Sequence, residues 1–386
     1  MNKIYFDNAA TTQVRQEVFE TMSPYFTENY GNPSSIYEIA RTNKKAIDTA
    51  REQIAQAIGA DAAELFFTGS GTEADNWAIK GVAEAYREKG THIITTAIEH
   101  HAVLHTCQYL ETKGFEVTYL PVKENGIIDL DALKKAIRPT TILISIMFAN
   151  NEIGTIQPIA EIGAVAKENG ILFHTDAVQA LGHVPIDVKA MHIDLLTITA
   201  HKIYGPKGIG ALYIRKGVRL KPFIHGGGQE RGRRAGTENV PAIVGFGKAA
   251  ALIIAEMAEE SERLLRLRNK LVDGVLAAIP FVWLNGDRNS RLPGNANLSF
   301  KYIEGESILL LLEMQGIFAS SGSACTSGSL DPSHVLLAIG LPHEDAHGSL
   351  RLTLGRYNTE AEVDRFLTAL PPIITRLRQM SPLYEG

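Results

Sequence analysis

The chain predicts an α/β fold, with a large domain on a mostly parallel seven-stranded sheet covered by helices and a smaller α+β domain after it. Three observations predict this. From Tyr37 to about residue 250, helical stretches alternate with short β-rich runs, the pattern of a parallel sheet with helices on both faces. A long amphipathic helix, Ala249 to Leu276, then breaks the alternation; its charges gather between Glu256 and Arg268, around Leu264, Leu265 and Leu267. At 386 residues, the chain is long enough for about two domains with a sizeable core.

The elements follow in order. Helical periodicity with few breakers fills Tyr37 to Gly59. The strand candidates are Leu65–Thr68, His92–Thr95, Glu116–Leu120, Ile142–Met147, Ile171–His174, Leu195–Thr199 and Gly210–Ile214. After the long helix, Asn297–Phe300, Glu306–Gln315 and Leu350–Leu354 form the smaller unit, its sheet expected to be antiparallel, and a helix from Glu360 to Arg378 ends it. No internal repeat or low-complexity tract occurs. The Gly-rich stretches at 205–210, 226–236 and 322–328 read as site loops.

Composition narrows the function classes. A net charge of −5 without a long basic stripe argues against nucleic acid as the main partner; Arg231-Gly232-Arg233-Arg234 is a short basic knot in a Gly-rich loop. No apolar stretch approaches the ~18 to 20 residues of a membrane helix, and the polar start Met1-Asn2-Lys3 lacks signal-peptide character, so a cytoplasmic location is expected. Two cysteines, Cys107 and Cys325, leave no disulfide framework and no CxxC metal pair.

The chemistry gathers after strands. His201-Lys202 follows Leu195–Thr199, and Thr175-Asp176-Ala177-Val178-Gln179 follows Ile171-Leu172-Phe173; in open α/β sheets ligands collect beyond such strand ends. A lysine there invites a Schiff base, and Asp176 is a candidate to keep a pyridine nitrogen protonated, the pair that pyridoxal 5′-phosphate (PLP) chemistry needs. Phe66-Phe67-Thr68-Gly69-Ser70-Gly71-Thr72-Glu73-Ala74 places a Gly-rich turn at a helix start, where backbone N–H groups hold phosphate. The same run fits G-x-G-x-x-A of a dinucleotide fold, but that reading makes no use of Asp176, His201 or Lys202.

Four further features join these. In Ile98-Glu99-His100-His101, either histidine is a candidate for ring stacking or proton transfer, although a lone histidine is more often structural. Asn150-Asn151-Glu152-Ile153-Gly154 offers side-chain amides to a carboxylate, or is simply a polar turn. Cys325 lies in Ser320-Ser321-Gly322-Ser323-Ala324-Cys325-Thr326-Ser327-Gly328, where no apolar anchor can bury it, so a reactive thiol is favoured; Cys107, within a helical run, is expected to pack. Arg351 is placed by strand alternation opposite Leu350, Leu352 and Leu354, and its planar fork suits a carboxylate, though a surface arginine is the default there.

Together these motifs resemble the PLP-dependent cysteine desulfurases of the NifS/IscS branch, class V aminotransferase-like enzymes, over almost the whole chain. Tyr5-Phe6-Asp7-Asn8-Ala9-Ala10-Thr11-Thr12, Gly31-Asn32-Pro33-Ser34-Ser35, Ala149-Asn150-Asn151-Glu152-Ile153-Gly154, His201-Lys202 with Gly205-Pro206-Lys207-Gly208, and the 226–239 loop carry the likeness. Ser320 to Cys325 is the most specific, being similar to the longer cysteine loop of that branch. The resemblance implies the aspartate aminotransferase-like architecture, fold type I, with a large PLP-binding domain at 14–250 and a small domain of 1–13 and 251–386 that carries the cysteine loop.

It also implies the roles. Lys202 is the Schiff-base lysine, Asp176 the partner of the pyridine nitrogen, Gln179 a donor to the ring oxygen, and His100 the ring-stacking, proton-handling group. Gly71, Thr72, Thr199 and His201 hold the phosphate, with Thr237 reaching in from a second subunit, hence a homodimer. Thr199 stands where serine is expected in many relatives, and the hydroxyl is kept. Asn151 and Arg351 hold the carboxylate of L-cysteine, and Cys325 takes the sulfur as a persulfide for an iron–sulfur scaffold protein. The end at Gly386, without a longer tail, tilts the expectation toward a NifS-like member. The alternatives are an aminotransferase or selenocysteine lyase on the same scaffold, and a non-catalytic sulfur carrier.

Overall fold

The computed structural model describes residues 3–321 and 332–384, so Cys325 and most of its loop lie outside the described residues. A short strand, β1 (Ile4–Tyr5), comes first. All seven expected strands follow: β2 (Leu65–Thr68), β3 (His92–Thr96), β4 (Glu116–Leu120), β5 (Thr141–Ser145), β6 (Leu172–Asp176), β7 (Leu195–Thr199) and β8 (Gly210–Ile214). They form one sheet in the order β2-β8-β7-β6-β5-β3-β4. Only β8 runs antiparallel to its neighbours, so the sheet is mostly parallel, as the alternation of elements required.

Helices cover both faces because β5, β7 and β8 are buried on both. On one face, Trp77, Ile79 and Val82 of the helix Gly71–Ala85 pack with Val103 and Cys107 of the helix His101–Glu111. Cys107 is thus buried, as expected. On the other face, the helix Glu38–Ala57 lies against the long helix, which runs from Val240 to Ala278.

That long helix starts nine residues earlier than the sequence indicated. Proline and glycine, here Pro241, Gly245 and Gly247, are ordinarily poor helix residues, but the proline occupies the first turn, where no N–H is needed. The glycines serve close packing: a Cβ on Gly247 would lie 2.5 Å from Ala50 Cα, and one on Gly245 would lie 2.5 Å from Met22 Sδ. The extension also corrects the expectation about apolar stretches. This helix is long and apolar enough to pass for a membrane span, with a mean hydropathy of 1.6 over its most apolar window. Val240, Ile243, Phe246, Ala249 and Ile253 spend that apolarity inside the core.

The smaller unit has its own core. β9 (Val282–Leu284), β10 (Asn295–Phe300) and β12 (Ser349–Thr353) form an antiparallel sheet, as expected. β11 (Ile317–Phe318) instead pairs in parallel with β1, and Asp7 bridges Thr353, so the first residues of the chain are stitched to its last strand. Leu264, Leu271 and Val275 of the long helix join Phe300, Leu350, Leu352, Phe366 and Leu370 in this core. The final helix, Glu360–Met380, opens with a capping box between Thr359 and Glu362.

Gly247→Val is expected to cost about 1 to 3 kcal/mol by forcing apart two packed helices. A urea midpoint equal to that of the parent chain would contradict the close-packing reading.

Candidate active site

The carboxyl ends of the parallel strands open on one cavity of about 300 Å³. β6 ends at Asp176, and the turn after it supplies Val178 and Gln179. β7 ends at Thr199 and passes directly into the short turn carrying His201 and Lys202. β3 leads to His100, β5 to Met147, Ala149 and Asn151, and β2 to Ser70, Gly71 and Thr72. Arg351, 2 % exposed, enters from β12 of the smaller unit. Of the site residues read from the sequence, only Thr237, which is exposed, and Cys325, outside the described residues, are absent from this lining.

Two ambiguities resolve in the geometry. His100 faces the cavity, whereas the His101 ring stacks away from it, between His105 at 4.9 Å and His334 at 4.8 Å. Asn150 is the structural half of its pair: its Oδ1 accepts the N–H groups of Glu152 and Ile153, and its amide donates to Ile98 O. Asn151 is left to face the cavity.

Burial sets the protonation states. The Asp176 carboxyl is pushed up to about 6 by burial, against the pull of the Val178 N–H and the Lys202 ammonium. A cation facing it inside the cavity would favour its ionised form. His100 is lowered to about 4 by burial and by Lys202, so its ring is neutral near pH 7. Its Nδ1 accepts the Ala102 N–H at 3.1 Å, which puts the ring proton on Nε2. The His201 ring, lowered to about 4 for similar reasons, pairs with Thr11 Oγ1 at 3.2 Å.

These residues fit PLP. The helix Gly71–Ala85 aims its first turn at the cavity, and a Cβ on Gly71 would lie 2.9 Å from Val178 Cγ2, so only bare backbone fits there. Ser70 caps the Glu73 N–H, which leaves the Gly71 and Thr72 N–H groups as orphan donors of the helix start for an anion. Thr199 lines the cavity but donates its hydroxyl to Ile209 O at 2.8 Å, so its proton reaches a phosphate only if the hydroxyl turns.

Several participants carried no sequence signal. Asp75 lies one turn into the helix Gly71–Ala85 and reads as a surface charge. It is buried on the cavity wall with Oδ1 unpartnered among the described residues, 3.6 Å from His174 Nε2; burial and the nearby Asp176 charge push it up. Backbone carbonyls leave no mark in a sequence at all: Ala9 O and Ala10 O hold the Lys202 ammonium at 2.5 and 2.7 Å. The ends of the cysteine loop are also tied to the site. Ser320 pairs with Arg351 through backbone bonds, and Ser333 donates to the buried carboxyl of Glu152 at 2.5 Å.

The class-V aminotransferase profile matches residues 4–366. This chain belongs to that family. Within it the chain is 64% identical over 380 residues to "Cysteine desulfurase IscS" of Methanosarcina thermophila, covering 98% of this chain and 94% of that protein. It is 61% identical to the protein of the same description from Clostridium botulinum, over 100% and 98% of the two chains. A solved structure described as a NifS-like protein superposes with a TM-score of 0.92 at 41% identity, over 97% of this chain and 100% of that one. The chain is therefore a PLP-dependent cysteine desulfurase, and the fold expected for that family is the one observed.

Glu99 and Glu152 are buried carboxyls raised by desolvation to about 8 and about 7. Each keeps a proton in the folded chain over a range where the unfolded chain has released it, so stability falls as pH rises toward 8. The buried His174 and the half-buried His183, lowered to about 3 and about 4, act only below about pH 6.5, where stability falls as pH falls. Glu99→Gln in the cofactor-free protein should therefore flatten the loss of stability between pH 6.5 and 8 by up to about 1.4 kcal/mol per pH unit. Urea titrations with identical slopes for the two proteins would refute this.

Proposed function

We propose that this cysteine desulfurase converts L-cysteine to L-alanine, leaves a persulfide on Cys325, and passes that sulfur to an iron–sulfur scaffold protein. The supporting observation is the convergence of Lys202, Asp176 and His100 on one cavity that Asn151 and Arg351 also line. In this reading Lys202 would hold PLP covalently, Asp176 would partner the ring nitrogen, Gln179 would donate to the ring oxygen, and His100 would serve the ring. Gly71, Thr72, Thr199 and His201 hold the phosphate. Bound PLP supplies an electron sink that makes the α-hydrogen of cysteine acidic.

The chain's own groups do the rest. Arg351 and Asn151 bind the α-carboxylate of cysteine, which orients its Cα–H toward Lys202 Nζ. Displaced from its bond by the amino group of cysteine, the free Lys202 amine takes that proton, and Asp176 would keep the ring nitrogen protonated. Cys325 Sγ, as the thiolate, attacks the cysteine sulfur. The S–S bond forms as the Cβ–S bond breaks, and the electron pair stays with the carbon fragment, which takes up protons and leaves as alanine. His100, neutral with its proton on Nε2, is placed to hand over such a proton. A thiol exchange then moves the sulfur onward.

Thr237 is exposed and lies outside its own chain's cavity, which supports its serving the phosphate of a second copy in a homodimer. Cores that fall almost wholly within 14–250, or within 1–13 and 251–386, support that division, with a small cluster of Ile98, Met147, Ile153, Val335 and Leu336 packing across it. Persulfide transfer suits the reducing cytoplasm, where thiols stay free.

Purified, PLP-loaded protein given L-cysteine and a thiol reductant is expected to release alanine and sulfide in equal amounts. Amino-group transfer to a keto acid in their place would favour the aminotransferase alternative. Cys325→Ala should keep the visible band of bound cofactor yet lose desulfuration by roughly a hundredfold or more; full activity in that variant would remove Cys325 from the mechanism. Lys202→Ala should lose both turnover and the covalently held chromophore, and an unchanged spectrum would overturn the cofactor assignment.

A further inference from the structure

The segment Tyr5–Thr12 lines the cavity at Ala9 and Ala10, and its polar atoms meet one site residue after another. Ala9 O accepts from Lys202 Nζ and from Gln179 Nε2, Thr11 Oγ1 pairs with His201 Nδ1, and Thr12 Oγ1 donates to His201 O. Its one charged side chain is Asp7. Asp7 Oδ1 accepts from Arg351 Nη2 at 2.9 Å, in an ion pair whose side chains are 21% and 3% exposed respectively. Arg351 Nη1 donates to Asn151 O at 3.2 Å, and its Nε is buried without an acceptor among the described residues. The fork is thus held at two points and still short of acceptors, which suits it to an incoming carboxylate.

Asp7 is itself fixed. Thr353, two residues beyond Arg351 on β12, donates its N–H to Phe6 O and accepts the Asn8 N–H at its carbonyl and the Ala9 N–H at Oγ1. The carboxylate of Asp7 is therefore set by the same strand that carries the arginine.

We propose that Asp7 is a positioning residue for substrate recognition, holding the Arg351 guanidinium in the orientation that receives the α-carboxylate of L-cysteine. The proposal rests on the assignment of Arg351 to that carboxylate. A free arginine side chain carries rotamer entropy, which the Asp7 pair removes before substrate arrives. Removing the Asp7 charge also unmasks the Arg351 charge, an effect that by itself would tighten carboxylate binding. The loss of that hold outweighs the unmasked charge: without Asp7 the fork keeps only the Nη1 bond to Asn151 O, since Nε has no acceptor among the described residues, so a fork released from Asp7 is anchored at a single point.

The test is steady-state kinetics on the PLP-loaded enzyme with Asp7→Asn, Asp7→Glu, Arg351→Lys and the double variant Asp7→Asn/Arg351→Lys. Asp7→Asn is expected to raise KM for L-cysteine about tenfold, the weight of one charged hydrogen bond, with kcat within about threefold. The cofactor absorbance should be unchanged, and Asp7→Glu should recover part of the loss. In the Arg351→Lys background the Asp7→Asn change should add less than about twofold, because Asp7 acts through the fork. If Asp7→Asn leaves KM unchanged or lowers it while Arg351→Lys raises it, the proposal is overturned and the assignment of Arg351 stands. If Arg351→Lys itself leaves KM unchanged, that assignment fails and takes the proposal with it. An Asp7→Asn protein that loses its cofactor band, or full additivity in the double variant, would mark Asp7 as a structural tie of the segment and likewise overturn the proposal.

Discussion

The carboxylate of Asp176 is held where water hardly reaches it, and much of the site is an answer to that burial. A lone buried carboxylate is costly unless hydrogen bonds or a cation face it. The Val178 N–H supplies one partner and Lys202 acts on it from the end of the next strand, yet the group still stands at about 6. With Asp75 buried beside it, the floor of the cavity favours a cationic ring nitrogen, while Lys202, Arg351 and the helix start at Gly71 make the rim favourable to anions. PLP carries both kinds of group, and the cavity's electrical pattern matches them in place.

That pattern arises from topology. Asp176 and Thr197 are register partners across β6 and β7, so the turn that carries Lys202 begins beside the end of the strand that carries Asp176. β3, β5 and β2 end on the same side and bring His100, Asn151 and Gly71 to it. The small unit contributes Arg351 through a strand whose leucines fill its own core, and the first residues of the chain cross between the units. Residues from Ala9 to Arg351 thus meet on one cavity although they come from elements far apart in the chain.

The large sheet was legible because each strand is short, β-rich and bounded by helical periodicity, and the chemistry was legible because polar clusters stood directly after apolar runs. Periodicity failed where packing replaced pattern. Gly245 and Gly247, poor helix residues by propensity, let helices touch, and a two-residue strand such as β1 or β11 is too short to show alternation. In the site, side chains could be read and main-chain carbonyls could not, so Ala9 and Ala10 were invisible as partners of Lys202. Asp75 and Glu152 were invisible for another reason: a carboxyl reads as solvated until its tertiary burial is known. His100 and His101, adjacent in sequence, separate only because a helix begins between them.

The long helix Val240–Ala278 belongs to both cores, its first half to the large sheet and its second half to the small one, with Glu256 between them gathering Arg15 and Arg356. Starting a helix is the improbable event; extending it is easy. A single nucleus therefore suffices for two packing surfaces. Whichever core condenses first presents the other with a preformed wall, so the shared helix fixes the alignment of the two units.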